Sequence, residues 1–379
     1  MTETLEWVQR EMTSPEGGFY CALDADSEGV EGKFYTFQRV EIERILGEDA
    51  ELFIRYFGVT QTGNWEEEHT NVLKIDIDAD KMAQEAGFSE EEWSGYLAQG
   101  KQKLLDYRNK RVKPGLDNKK LTSWNSLMIK AFVDAHRVFN VPEYLRCALD
   151  NAAFIREHLY AKDGGLLHQP AANGKTIPGF LDDYAFCIEA FQAIYEATFD
   201  ESWAYEAKRL MEYVLTYFYD QHSVVFYYTS SRAETLIARK QEVMDNVIPS
   251  STSGIVRALN RLGLIFDEQR YLDIASQALA NVVPQMAAYG SAYSNWAIQL
   301  LEEVVGSYQV VMTGPGWRAF RTALDAAYLP NKLILGGTKG DLPLLTGRVG
   351  DTTRAYVCRG KTCSLPVEHI EALLQLITQ

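Results

Sequence analysis

The stretch "DDYAFCIEAFQAIYEATFDESWAYEAKRLMEYVLTYFYD", Asp182 to Asp220, decides how this chain is read. Apolar residues recur at spacings of three and four on both sides of a short polar turn. That is the period of a deeply buried helix followed by a second, more charged one. Two further segments repeat the arrangement: Ser123–Phe139 with "NVPEYLRCALDNAAFIREHLY", and "STSGIVRALNRLGLIFDEQRYLDIASQALANVV" from Ser251. In each, one aromatic closes the first helix and another opens the second: Phe139 with Tyr144, Phe199 with Trp203, Phe266 with Tyr271. The anchors recur about sixty to seventy residues apart, the length of a helical hairpin plus a long loop.

Repeated helical hairpins pack as an open solenoid or as a ring with one helix of each pair inside. Here the first helices are small and apolar nearly all round and the second ones more charged, as inner and outer helices should be. Long connectors, "AKDGGLLHQPAANGKTIPGF" from Ala161 and "QHSVVFYYTSSRAETLIARKQEVMDNVIP" from Gln221, precede inner helices and would gather loops at one end. The expected fold is mainly α: an (α/α)6 toroid of helical hairpins, whole or incomplete, with a small C-terminal α/β appendage. Residues 1–306 form the toroid domain, interrupted at 17–120 by a β-hairpin and a mixed insertion with a strand at "NVLKIDI". Residues 307–379 form the appendage, with strands at "SYQVVMTG", "NKLILGG" and "RAYVC" and a helix at "GWRAFRTALDAAY". Ser291–Val305 and the opening "MTETLEWVQREM" read as single helices.

Composition narrows the partners. A net charge of −15 opposes nucleic acid, which selects a basic stripe, and disfavours anionic membrane surfaces in the same way. The amphipathic opening is not a signal peptide, and no apolar run approaches membrane-spanning length. Five scattered cysteines, an odd number, fit a reducing cytoplasmic setting better than a disulfide scaffold, and Cys358-x4-Cys363 reads as structural. Without HExxH, CxxC or any His/Cys pair at ligand spacing, no metal and no cofactor is expected. His136 and His158 fall within helices; His69 and His168 lie in loops. Aromatics at 12% serve helix packing first and the lining of a concave pocket second.

Five polar constellations carry the chemistry. "GGFYCALDADSEGVEGKFYTF", Gly17–Phe37, offers Tyr20, Asp24 and Asp26. It mimics half a calcium loop but has Tyr35 where the bidentate glutamate belongs, so it reads as a hairpin whose two arms flank the acidic turn. "GNWEEEHTNVL" offers Trp65, Glu66 and His69 for stacking and acid–base work, or a solvated acidic loop. "LDNKKLTSWNSLMIK" places Lys119, Trp124 and Asn125 at one inner-helix start, capped by Thr122 or Ser123. "GFLDDYAF" places Asp182, Asp183 and Tyr184 at a second, and "MDNVIPSSTSG" places Asp245, Asn246 and Ser250 at a third. Caps explain one aspartate each; three polar clusters at equivalent positions point to a site carried on a rigid scaffold. Asp24, Asp26, Asp182, Asp183, Asp245 and His69 are the catalytic candidates. Tyr20, Trp65, Glu66, Lys119, Trp124, Asn125, Tyr184, Asn246 and Ser250 are the binding candidates.

Six of these stretches, "SPEGGFYCALDADSEGVEGKFYTF", "GNWEEEHTNVL", "LDNKKLTSWNSLMI", "PGFLDDYAFCIEA…YEATFD", "DNVIPSSTS" and "YVCRGKTCSLPV", resemble the thioredoxin-domain-containing family that includes spermatogenesis-associated protein 20. The resemblance runs nearly end to end. It implies a thioredoxin-like domain followed by an (α/α)6 toroid, the fold of N-acylglucosamine and cellobiose 2-epimerases and of several glycosidases. This sequence lacks the thioredoxin-like part and the first toroid helices, has Asp117-Asn118 where the family pairs acids, and carries Ser126 and Ser251 in place of small glycines. The resemblance implies a carbohydrate-active or carbohydrate-binding pocket, epimerase-like or glycosidase-like, with a sugar-like small molecule as ligand. The competing expectation is a non-catalytic binding or regulatory module. An open ring would expose apolar helix faces and favour self-association, or pairing with the helices the family carries upstream.

Overall fold

The computed structural model describes residues 1–234, 237–360 and 362–378. They divide into two compact units, residues 22–118 and residues 1–21 together with those from 119 onward. In chain order the helices are α1 (Thr2–Glu11), α2 (Arg39–Leu46), α3 (Ala50–Tyr56), α4 (Ala79–Ala86), α5 (Glu90–Arg108), α6 (Thr122–Phe139), α7 (Pro142–His158), α8 (Leu181–Thr198), α9 (Glu201–Tyr217), α10 (Ser251–Phe266), α11 (Gln269–Met286), α12 (Ser294–Val305), α13 (Trp317–Asp325) and α14 (Ile370–Thr378). The strands are β1 (Ala22–Leu23), β2 (Asp26–Ser27), β3 (Val30–Glu31), β4 (Leu116–Asp117), β5 (Tyr219–Asp220), β6 (Val225–Phe226), β7 (Tyr308–Thr313), β8 (Lys332–Gly337), β9 (Arg354–Arg359) and β10 (Thr362–Cys363).

The larger unit is an arc of (α/α) toroid type. Among the described residues it holds three full hairpins, α6–α7, α8–α9 and α10–α11, with α8 packed between α6 and α10 so that the first helices stand side by side. α8 is buried on nearly every side; from Leu181 to Ala197 only Asp182 and Glu189 escape full burial. Its outer neighbour α7 buries a single stripe, Tyr144, Ala148, Asn151, Ala152 and Ile155 among it. The inner and outer assignments therefore hold, and they follow from the apolar pattern.

The repeat is tighter than the sequence suggested, and shifted by one residue. Each inner helix ends on a left-handed residue: Asn140 (φ 52°), Phe199 (φ 57°) and Asp267 (φ 50°). Asn and Asp tolerate that conformation well, and an aromatic does not. Phe199 is thus equivalent to Asn140 and Asp267, whereas Phe139 and Phe266 sit one position earlier and stay partly open to solvent. Phe199 holds its strained place because its ring is buried against Trp317, centroids 4.4 Å apart, in the core of the C-terminal sheet. The second aromatic does recur as read: Tyr144, Trp203 and Tyr271 are each the third residue of an outer helix, and all are buried.

The C-terminal sheet has the order β10-β9-β7-β8, with β7 and β8 parallel, α13 as their crossover and β9 antiparallel to β7. Cys358 and Cys363 face each other across β9 and β10 and are joined in a disulfide, which departs from the all-reduced expectation; among the described residues Cys21, Cys147 and Cys187 form no disulfide. Among the described residues no helix is long and apolar enough to cross a membrane.

The smaller unit has its own core around Ile42, Phe53, Met82, Trp93 and Leu104. Two expectations fail there. The arms "GGFYCAL" and "GKFYTF" do not pair; β1 pairs with β4 instead, and the acidic turn folds on itself, with β2 against β3. Glu28 (φ 54°) and Gly29 (φ 76°) make the two-residue turn, and positive φ at both positions matches the right-handed twist of the paired strands. "NVLKIDI" forms no strand. Only Asn71 bridges, to Phe37, and its buried carboxamide oxygen accepts the Thr60 and Asn64 N–H groups, so a side chain satisfies loop backbone that a ladder would otherwise have used.

Truncating Phe199 should therefore cost far more than truncating its sequence analogue. Phe199→Ala is expected to lower unfolding free energy by about 3 kcal/mol, and Phe139→Ala by less than ~1 kcal/mol. Equal losses in urea titrations would contradict the shifted register.

Candidate functional site

The first turns of α6 and α8 meet at one buried carboxylate. Asp183 is fully buried. Its Oδ1 accepts the Ser123 N–H (2.9 Å), and its Oδ2 accepts the Phe180 N–H (2.9 Å) and contacts His168 Nδ1 (2.9 Å). The connector is laced to the same place: the Thr122 N–H donates to the His168 carbonyl (2.9 Å) and the Thr122 hydroxyl to the Leu167 carbonyl. Thr122 and Ser123 are thus inside α6 rather than capping it, because the cap is supplied from α8. The hydrogen bond to Asp183 raises the His168 pKa above its ordinary value, against the opposing effect of burial.

Asp182, next to it, has a different environment. Its Oδ1 accepts the Asp183 N–H (3.0 Å). Burial, then the Asp183 charge, push its carboxyl up to about 6. The Glu242 charge acts in the same direction, and Glu242 itself accepts the Ser251 N–H at the start of α10 (3.3 Å). The Tyr228 hydroxyl is hydrogen-bonded to Asp182, and the Tyr228 ring stacks on Phe180 with centroids 5.1 Å apart and planes 6° from parallel. His168 meets the same Phe180 edge-on at 5.0 Å. A proton donor, an imidazole and an aromatic face are therefore assembled at the loop end of the inner helices.

The third cluster repeats the tying arrangement. Asp245 Oδ1 accepts the Ser250 N–H (2.9 Å) and the Ser253 hydroxyl (3.0 Å), while Oδ2 accepts the Asn295 N–H at the start of α12 (2.8 Å). Ser250 is the true cap of α10, its hydroxyl accepting the Ser253 N–H (3.1 Å). Asn246 is exposed beside it. Several binding candidates are engaged in structure. Asn125 is buried and clamps Phe19, accepting its N–H (2.7 Å) and donating to its carbonyl (3.1 Å). The buried Tyr184 hydroxyl accepts the Leu166 N–H (2.8 Å). Tyr20 lies under the Lys120 ammonium, 5.4 Å from its ring centroid. Trp124 and Lys119 are exposed.

Asp24, Asp26, Trp65, Glu66 and His69 belong to the smaller unit. Asp24 and Asp26 are exposed, and Asp24 Oδ1 accepts the Asp26 N–H (3.1 Å) at the hairpin entry. Trp65 packs so closely on Gly32 that a Cβ there would lie 2.3 Å from its ring. Glu66 and His69 are exposed, His69 at φ 53°. What the sequence left unmarked in the larger unit is Phe180, Tyr228 and Glu242. They sit in connectors of no regular period, and only their closeness in space to Asp182 singles them out.

The class defined so far is an (α/α)-hairpin protein of toroid type whose inner-helix starts are bound together by buried aspartates. No protein-family model matches the chain. Among curated proteins it is similar to spermatogenesis-associated protein 20 of Rattus norvegicus, 27% identical over 423 residues covering 99% of this chain and 54% of the relative. The Homo sapiens protein of the same name is 26% identical, covering 96% of this chain and 52% of its own length. The chain thus spans about half the length of the curated relatives it matches. The relatives are those that its motifs resemble. Solved structures with similar helical packing include a cellobiose 2-epimerase from Bacillus thermoamylovorans (17% identity, TM-score 0.36, 43% of this chain and 44% of the other). Others are a GH76 alpha-mannanase from Bacteroides thetaiotaomicron (15%, TM-score 0.43, 63% and 68%) and a D-mannose isomerase (18%, TM-score 0.38, 45% and 42%).

Both titrating groups at this end give stability the same dependence on pH. The His168 pKa lies above 6.5 in the fold, so its contribution is complete below that value and disappears as pH rises through the raised one. Asp182 moves from 3.8 to about 6, so the fold favours its protonated form and loses that advantage as pH climbs between the two. Denaturant midpoints should fall from about pH 5 to about pH 8. Asp183→Asn should cost about 2–3 kcal/mol and flatten the His168 part of the slope; a midpoint that rises with pH would refute the assignment.

Proposed function

We propose that the loop end of the inner helices binds a neutral sugar-like molecule and acts on it by carboxylate chemistry. The observation that carries this reading is Asp182, a carboxyl pushed up to about 6, within reach of the His168 charge and hydrogen-bonded to Tyr228, whose ring stacks on Phe180. A carboxylic acid tuned toward neutrality is suited to hand a proton to a leaving oxygen. Glu242 is near enough for its charge to act on Asp182 and supplies a second carboxylate, as hydrolysis between two acids requires. An aromatic pair gives a sugar ring an apolar face to rest on. The epimerase-like route needs two bases on opposite faces of the carbon, and His168 is the one histidine placed at this cluster among the described residues, so the hydrolase-like reading is favoured.

The second reading, a binding module without turnover, draws support from Asp183 and Asp245, whose carboxylate oxygens are all committed to tying helix starts together. Melting curves with a panel of neutral mono- and disaccharides, paired with turnover assays on the sugars that stabilise, separate the two. The expected result is a stabilising sugar that is also converted, with a pH–rate limb near 6 from Asp182. In Asp182→Asn turnover should drop about a hundredfold or more while the melting shift remains. Stabilisation without conversion establishes the module; no shift from any sugar sinks both.

A further inference from the structure

A cleft of about 550 Å³ lies farther along the same inner helices, lined by the second halves of α6 and α8, the middle of α10 and the segment leading into β8. Gln192, on its wall, is ten residues beyond Asp182 on α8, about 15 Å along the axis. In a chain of net charge −15 this cleft is unusual for its cations.

Its acids are already used. Asp325 Oδ1 accepts from Arg137 (3.0 Å) and Oδ2 from Arg321 (2.6 Å). Glu196 Oε1 accepts from Arg261, and Oε2 accepts the Ile334 N–H (3.3 Å). The donors are not used up. Lys332 makes only long contacts, 3.5 Å each, to the Leu324 and Ala327 carbonyls, and the buried Arg321 keeps both Nη atoms without a partner among the described residues. Gln192, 1% exposed, donates to the Ala258 carbonyl (3.0 Å) but leaves its Oε1 without a partner among the described residues. Buried polar atoms without partners are rare and call for a cause.

We propose that this cleft is a binding site for a small hydroxylated monoanion, a sugar acid or similar hydroxy acid, with Lys332 receiving the anionic group and Gln192 Oε1 accepting from a hydroxyl. The charge count agrees. Around Lys332 stand Arg137 from α6, Glu196 from α8 held by Arg261 of α10, and Arg321 with Asp325 from α13, so this group keeps one positive charge with Lys332 neutral and two with it protonated. Burial, then Arg137, push the Lys332 ammonium down to about 8, which is the expected consequence of a cation waiting for its counter-ion. An anion that fills the site restores the ammonium and takes up a proton with it.

The test is calorimetry with gluconate, which keeps its charge across the range, and sorbitol as its neutral counterpart, at about pH 6.5 and about pH 9.5. Gluconate is expected to bind at the lower pH and at least tenfold more weakly at the higher, with sorbitol silent. Lys332→Met should abolish binding, and Lys332→Arg should keep it with less than a twofold change between the two pH values. The proposal is overturned by no gluconate binding at the lower pH, by sorbitol binding equally well, or by a pH dependence that survives in Lys332→Arg. The last variant decides the matter even if Lys332→Met does not fold. None of these outcomes touches the Asp182 reading, which concerns the loop end and neutral sugars.

Discussion

The larger unit depends on a carboxylate that has been taken out of water. Removing an ionised group to the interior costs several kcal/mol unless donors replace its hydration, and Asp183 is given three: a backbone N–H from α6, one from its own helix entry, and the His168 ring. Each donor comes from a different segment, so the bonds can form together only when α6, α8 and the Ala161 connector are in one register. Charge-assisted bonds are also the strong ones. A single buried acid therefore does what a hydrophobic contact cannot do, since apolar packing tolerates a slip and a hydrogen-bond triad does not.

Asp245 extends the same principle along the arc. It binds the first turn of α10 through Ser250 and Ser253 and the first turn of α12 through Asn295. Inner-helix starts held flush by aspartates present their N-terminal dipoles at one end, a field that favours negative charge. Asp182 is held protonated to unusually high pH in spite of that field, because burial and the charges of Asp183 and Glu242 outweigh it. An architectural device thereby sets up a chemical one: the acid that holds the helices together is also the neighbour that keeps the second acid from ionising.

Most of the helical frame was legible because its signal is periodic. The apolar runs of α6, α8 and α10 and the aromatic at the third position of each outer helix are patterns that a single chain can show. The hairpin arms around "DADSEG" were misread because alternation alone cannot say which partner a strand takes; β1 found β4, more than ninety residues onward. "NVLKIDI" looked like a strand by composition, but a buried Asn71 side chain had already satisfied the surrounding backbone. At the loop end the sequence marked Asp182, Asp183 and Asp245 together, and could not divide them. Their difference lies in what faces each oxygen, and the partners, Ser123, His168 and Asn295, come from elsewhere in the chain.

The C-terminal sheet shows why that division matters beyond the loop end. β8 and α13 bring Arg321, Asp325 and Lys332 to the inner helices, where Phe199 secures the junction through Trp317. Each buried acid there is matched by an arginine, and an arginine cannot shed its charge to ease a mismatch. Lys332 can, so it relieves part of the surplus: beside Arg137, Arg261 and Arg321 it is the cation able to become neutral, and its pKa has fallen to about 8. Charge balance across the inner face is thus adjusted by a residue that lines the cleft. An arc of helices held by buried aspartates at one end ends up with an adjustable positive charge at the other.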